Sequence, residues 1–133
     1  MSETTNSEQL RTKRVLLVDD NDLFRQVLGV VLEHCAGFGE SIHANSLTEA
    51  RRVFDDNGRE ADLAVVDLDL PGGEGFTLLE ELSEDSPRLP MIGMTASTDN
   101  GLHARAFEAG VSDVLTTRAD IEEIISAAKR QGG

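Results

Sequence analysis

Two aspartates, Asp67 and Asp69, stand two residues apart where an apolar run gives way to proline and glycine, in AVVDLDLPGGEG (Ala64 to Gly75). A second acidic pair, Asp19 and Asp20, follows another apolar run, VLLV (Val15 to Val18). Carboxylates gathered at one edge repel one another unless they are protonated or bridged by a cation. No His or Cys stands among them, so the donor set is hard oxygen. It suits Mg²⁺, with Mn²⁺ or Ca²⁺ as other oxygen-seeking ions. A carboxylate beside such an ion and a hydroxyl donor can attack phosphorus, and Thr95, after a third apolar run, supplies the hydroxyl. Thr95 could equally cap the helix that follows it. Capping also accounts for one of Asp19 and Asp20, but not for both.

The surrounding elements must bring these residues together. VLLV and LAVV (Leu63 to Val66) are continuously apolar, as in strands buried on both faces. Ser41 to Ala44 predicts a short strand, Leu89 to Met94 another, and Val111 to Thr116 the last. Phe24, Leu28, Val31, Leu32 and Cys35 fall on one helical stripe, capped by Asn21 or Asp20 and closed by Gly37 and Gly39. SLTE (Ser46 to Glu49) has capping-box spacing, before a helix with Leu47, Ala50, Val53 and Phe54 inward. FTLLEEL (Phe76 to Leu82) is helical and stops before Pro87. A helix after Thr95 reaches Ala109, with Gly110 as its stop, and the last helix aligns Ile121, Ile124, Ile125 and Ala128.

Five strands alternating with five helices predict an α/β fold, a doubly wound five-stranded parallel sheet covered on both faces. Such sheets bind ligands at the carboxyl ends of their strands, near the topological switch point. Asp19 with Asp20, Asp67, Thr95 and Thr117 are therefore the candidate site.

The 133 residues suit one domain. Residues 1–13 read as a disordered lead-in, 14–130 as the domain, and 131–133 as a tail or the start of a linker. The net charge of −13 opposes direct nucleic-acid binding, which needs a basic face, although most of the 25 carboxylates serve only to solvate helices. The polar N-terminus lacks the apolar core of a signal peptide, and no run is long enough to span a membrane, so a cytoplasmic protein is expected. The single cysteine, Cys35, is expected to be a buried, inert thiol. Lys13 and Lys129 are the only lysines, so nothing between them supplies an ammonium group.

Two rival motif readings fail. VVDLDL is similar to the DxD nucleophile motif of haloacid-dehalogenase-like phosphatases, but those enzymes need a downstream lysine and acidic pair, and here the pair lies upstream. A dinucleotide loop built on Gly73 and Gly75 would need glycine where Leu78 stands.

Four pieces in order carry a closer likeness: LLVDDN, DLDLPGGEG, MTAS and AGVSDVLT. With these, the chain resembles the receiver domain of two-component response regulators, from about Arg14 to Lys129. The resemblance implies a flavodoxin-like receiver fold in which Asp67 accepts a phosphoryl group from a sensor histidine kinase or phosphotransfer protein. It implies Mg²⁺ held by the carboxylates of Asp20 and Asp67, by Asp19 through water, and by the backbone carbonyl of Asp69. The Asp69 side chain would sit at the site mouth, tuning hydrolysis, and Thr95 would hydrogen-bond the phosphoryl group. Pro71 and the glycines would shape the loop and admit that group. The only catalysis implied is of the chain's own aspartyl phosphorylation and dephosphorylation.

The likeness breaks at two points. Thr117 and Arg118 stand where the family has lysine and then proline, and Val114 stands at its switch aromatic. Losing that lysine removes the only cation the resemblance assigns to the site. Thr117 is expected to cap the last helix, with Asp120 completing the box. Arg118 is a possible substitute cation, although strand alternation points it the other way. The expectation is a receiver with an atypical switch. The alternative is a pseudo-receiver that binds partners without phosphorylation. An effector domain or a second copy would meet the fourth helix, fifth strand and fifth helix, around Arg105, Val114, Thr116 and Glu122.

Overall fold

The structure, a computed structural model, describes residues 12–56 and 61–131. In chain order the described elements are β1 (Arg14–Val18), α1 (Asp22–Cys35), β2 (Glu40–Ala44), α2 (Leu47–Asp56) and β3 (Leu63–Asp67). A 3-10 turn (Pro71–Gly73) leads into α3 (Glu74–Asp85), followed by β4 (Met91–Thr95), α4 (Asn100–Glu108), β5 (Asp113–Thr116) and α5 (Ile121–Gln131). The strands form one parallel sheet of order β2-β1-β3-β4-β5, the doubly wound α/β arrangement expected. The chain reverses its direction of travel across the sheet after β2, so the switch point falls beside β1 and β3, whose carboxyl ends carry Asp19 and Asp67.

Strand alternation divides the core between the two faces of the sheet. Leu16, Val18, Ala64 and Val66 pack on one side with α2, α3 and Ala106 of α4. Val15, Leu17, Leu63 and Val65 pack on the other side with α1 and α5. β3 and β4 are buried throughout, while β5 at the sheet edge is only half-buried.

Local signals hold at the first two helix starts. Asn21 caps α1, accepting from the Phe24 amide at 2.9 Å, which leaves both Asp19 and Asp20 free of that duty. Ser46 Oγ accepts from the Glu49 amide at 3.1 Å, and the Glu49 carboxylate reaches back to the Asn45 amide at 2.8 Å, one residue beyond the expected box partner. Leu47, Ala50 and Phe54 of α2 are buried as expected.

Three expectations need correction. Cys35 is exposed, because α1 ends there and the chain turns inward through Ala36 and Phe38, which fill the core in its place. Ile121 is exposed at the first turn of α5, where the buried residues are Ala127 and Ala128. Arg25 and Gly29, rather than the half-buried Phe24 and Val31, join Leu28 and Leu32 on the buried face of α1.

Of the lead-in expected at residues 1–13, residues 1–11 lie outside the described residues. The Lys13 carbonyl accepts from the Gly39 and Glu40 amides, which ties it to the start of β2. In the expected tail, residues 132–133 also lie outside. Among the described residues no helix is long and apolar enough to cross a membrane.

Candidate functional site

β1 ends in Val18 and β3 in Asp67, so parallel pairing delivers Asp19, Asp20 and Asp67 to one edge. One carboxylate oxygen from each lies within 4.8 Å of the others. Asp19 and Asp67 are buried, at 8% and 7% exposure, and Asp20 is exposed at the mouth. Asp19 Oδ1 accepts from the Asn21 amide and Asp67 Oδ1 from the Asp69 amide, both at 2.8 Å. Backbone donors thus hold each buried carboxylate in place.

Burial pushes the Asp67 carboxyl up to about 7, with the charges of Asp19, Asp69 and Asp20 adding to the rise against the Asp69 amide bond. Asp19 is raised as well, again chiefly by burial. The charges acting on Asp67 are all carboxylates. Three crowded hard oxygens whose charge is under-compensated are a donor set that fits a divalent oxygen-seeking cation.

One buried cation lies beneath the cluster, and the sequence reading missed it. Arg25, 8% exposed, donates through Nη1 to the Asp19 carbonyl at 2.7 Å and through Nε to His43 Nδ1 at 3.0 Å. It also pairs with Asp22 at 2.9 Å. Its charge draws Asp19 down, partly offsetting burial; His43 is held below its ordinary value chiefly by burial of the ring, with the Arg25 charge adding to it. The site is therefore not without a nearby cation, although Arg25 bonds to Asp19 and not to Asp67. Its signal was available: positions 25, 28 and 32 share one helical face, so an arginine there stands on the core stripe.

Thr95 ends β4 and is fully buried. It does not cap the next helix; Asp99 does, accepting from the Gly101 amide at 3.0 Å. The Thr95 hydroxyl donates to Asp69 Oδ1 at 2.7 Å, and Asp69 Oδ2 accepts from the Ala96 amide at 2.8 Å. The Asp69 side chain is thus engaged across the mouth with the loop after β4.

Thr117 and Arg118 are exposed after β5. The Thr117 amide donates to the Thr95 carbonyl at 2.9 Å, continuing the ladder. Thr117 is not the helix cap, because α5 begins four residues later and Asp120 caps it, accepting from the Glu123 amide at 2.9 Å. Val114 packs against the core, and Arg105 lies over the Phe76 ring at 4.1 Å, joining α4 to α3.

The loop after Asp69 turns through Gly72 and Gly73 at φ 70° and 74°, a conformation that side chains other than glycine rarely adopt. Gly75 answers a different need. A Cβ there would run into the Asp67 carbonyl oxygen and lie 3.0 Å from Leu68 Cα. The space this glycine leaves is filled by backbone of the Asp67 strand end, so it does not serve to admit a phosphoryl group.

Comparison with known proteins agrees with this geometry. Residues 15–129 match the response regulator receiver domain. The chain is 31% identical over 119 residues to the phosphate regulon transcriptional regulatory protein PhoB of Pseudomonas aeruginosa, covering 88% of this chain and 50% of that protein. It is 31% identical over 120 residues to the DNA-binding transcriptional regulator NtrC of Proteus hauseri, covering 87% of this chain and 24% of that one. The chain thus spans from about a quarter to half the length of these curated relatives. Among solved structures, a putative response regulator from Chloroflexus aurantiacus superposes with a TM-score of 0.80 at 30% identity, covering 90% of this chain and 97% of that one. A response regulator protein from Burkholderia pseudomallei, solved with a phosphorylated aspartic acid, calcium ion and citrate, superposes with a TM-score of 0.77 at 25% identity, covering 87% of this chain and 66% of that one. With the match running from β1 into α5, this chain belongs to the response regulator receiver domain family.

Proposed function

We propose that the chain accepts a phosphoryl group on Asp67 from a phosphohistidine of a sensor histidine kinase or phosphotransfer protein, in the cytoplasm, and so switches its interactions. The observation that supports this most is the buried Asp67 carboxylate at a strand end, crowded by Asp19 and Asp20 within 4.8 Å. Asp67 Oδ attacks phosphorus as the phosphorus–nitrogen bond breaks, and the imidazole leaves with that electron pair and takes up a proton. The Asp69 amide on Asp67 Oδ1 orients the carboxylate, leaving its other oxygen for the attack. Asp20 and Asp67 carboxylates, Asp19 through water and the Asp69 carbonyl are the proposed holders of Mg²⁺. When bound, it supplies positive charge that keeps Asp67 ionised and offsets the phosphoryl oxygens.

In the test, the full chain is incubated with acetyl phosphate and Mg²⁺ and read by intact mass. The gain of one phosphoryl group, absent in Asp67→Ala, is expected. No gain from either acetyl phosphate or a phosphorylated donor protein would end this reading.

A protein donor needs a surface beside the site. Leu23, 73% exposed, sits in the first turn of α1 just past Asp20, and Val27 and Val30 continue the exposed stripe. Leu23→Asp with Val27→Asp is expected to slow transfer from a donor protein by tenfold or more, with the acetyl phosphate rate unchanged. Equal slowing of both would place the effect in the site itself. The proposed output surface is α4, β5 and α5, where Arg105 and Glu122 are exposed and Val114 and Thr116 half-buried, for an effector domain or a second copy.

One observation favours the pseudo-receiver reading instead: the charges that shift Asp67 are the carboxylates of Asp19, Asp69 and Asp20, and Thr117 carries no charge to take the place of the ammonium. If partner binding is the same for the phosphorylated protein and Asp67→Ala, the chain is an interaction module of that kind.

A further inference from the structure

Thr95 has one hydroxyl proton and Ala96 one amide proton, and both are committed. The hydroxyl goes to Asp69 Oδ1 at 2.7 Å and the amide to Asp69 Oδ2 at 2.8 Å. The Thr95 oxygen in turn accepts from the Ser97 amide at 3.1 Å. Thr95 is fully buried, so water cannot supply its hydroxyl with another acceptor. The Asp69 amide donates to Asp67 Oδ1 at 2.8 Å, which seats this carboxylate next to the proposed phosphoacceptor. To a hydroxyl and an amide, a carboxylate and a phosphoryl group offer the same thing, a pair of anionic acceptor oxygens.

We propose that in the unmodified protein the Asp69 carboxylate fills the anion position at Thr95 and Ala96 that a phosphoryl group on Asp67 would otherwise take. The contact itself stands apart from the phosphoacceptor reading; its consequence for phosphorylation rests on that reading. Two effects follow from counting protons. A phosphoryl group gains the Thr95 hydroxyl and Ala96 amide only by displacing Asp69, which is exposed and can be taken up by solvent. Asp69 therefore opposes the phosphorylated state. The same contact already draws the loop after β4 onto the β3 loop, so that loop changes little when Asp67 is modified. Asp69 is a positioning residue for Thr95, acting as an internal anion where the site lacks the ammonium at position 117.

The test reads the Ala96 amide by NMR in the free protein, then titrates beryllofluoride with Mg²⁺ as the phosphoryl analogue. In Asp69→Ala, Ala96 hydrogen exchange is expected to be about tenfold faster or more, since a charge-assisted bond is lost. Beryllofluoride should bind about tenfold more tightly and restore the amide's protection. Loss of negative charge alone would tighten binding without changing Ala96 exchange in the free protein, so the amide separates the two causes. Identical Ala96 exchange in the wild type and Asp69→Ala overturns the proposal, whatever the binding. If neither protein binds beryllofluoride, the phosphoacceptor reading fails while the amide comparison still decides whether Asp69 holds the loop.

Discussion

Asp67→Asn is expected to stabilise the metal-free protein at pH 8 by about 2 kcal/mol. In the wild type the Asp67 carboxyl titrates at about 7 when folded and at 3.8 when unfolded, because burial and three neighbouring carboxylates penalise its charge. Between those values the folded state binds more protons than the unfolded one, so stability falls as pH rises from about 4 to 8. Its contribution is fully present below 3.8 and lost above about 7. The full linkage is at most ~4 kcal/mol, and screening at the open mouth of the site brings the expectation to about half. Asparagine is neutral throughout and keeps an oxygen for the Asp69 amide, so it escapes the loss without losing that hydrogen bond. At pH 8 in EDTA the variant should melt about 6–8 °C higher. At pH 5, where only the unfolded carboxyl has ionised, the gap should shrink to roughly two-fifths of that.

Adding Mg²⁺ should reverse the ranking. The wild type gains stability with the ion, and more at pH 8 than at pH 5, since binding must displace protons from Asp67 and Asp19 at the lower pH. Asp67→Asn gains little at either. Parallel pH profiles for the two proteins in EDTA would mean that Asp67 is not the strained charge of this cluster. The stability it gives up as an anion is what would make it receptive to a cation and, on the proposed function, to phosphorus.

The fold was legible because the central strands are built on apolar runs, VLLV, LAVV and MIGM, each followed directly by a polar residue. VLLV and LAVV needed no tertiary information to be read as buried parallel strands, and their next residues became the site by topology alone. What could not be read was side-chain choice among near-equivalent partners. Thr95 could cap a helix or face the site, and Asp99 settled the matter by capping α4 itself. Thr117 likewise yielded the cap to Asp120. Arg25 escaped notice because a charged residue on an apolar stripe is ordinarily read as an interruption, whereas here the Asp19 carbonyl and His43 satisfy it. The exposed Cys35 shows the converse, since stripe membership means little at the last residue of a helix, after which the chain turns inward through Ala36 and Phe38.

Glycine positions near the site separate by what surrounds them, and Gly75→Ala is expected to be the most damaging, costing about 3 kcal/mol or more. The atoms nearest its Cβ would be backbone, the Asp67 carbonyl group and Leu68 Cα, and none of these can rotate aside. Gly93→Ala would instead press on Leu68 Cδ1 at 2.9 Å, a side chain that can shift, so a smaller loss of about 1–2 kcal/mol is expected. Gly72→Ala meets open space and carries only the left-handed penalty of φ 70°, about 1 kcal/mol. Urea denaturation of the three variants should show that order. Because α3 can yield to the new methyl only by moving off the end of β3, Gly75→Ala should also displace Asp67 from Asp19 and Asp20, and its Mg²⁺-dependent gain in Tm should vanish even where the protein stays folded. Gly72→Ala should keep that gain. Should Gly75→Ala prove no worse than Gly72→Ala, conformational freedom rather than close approach would explain the glycine, and the packing of α3 against the strand end would not be what holds Asp67 in its cluster.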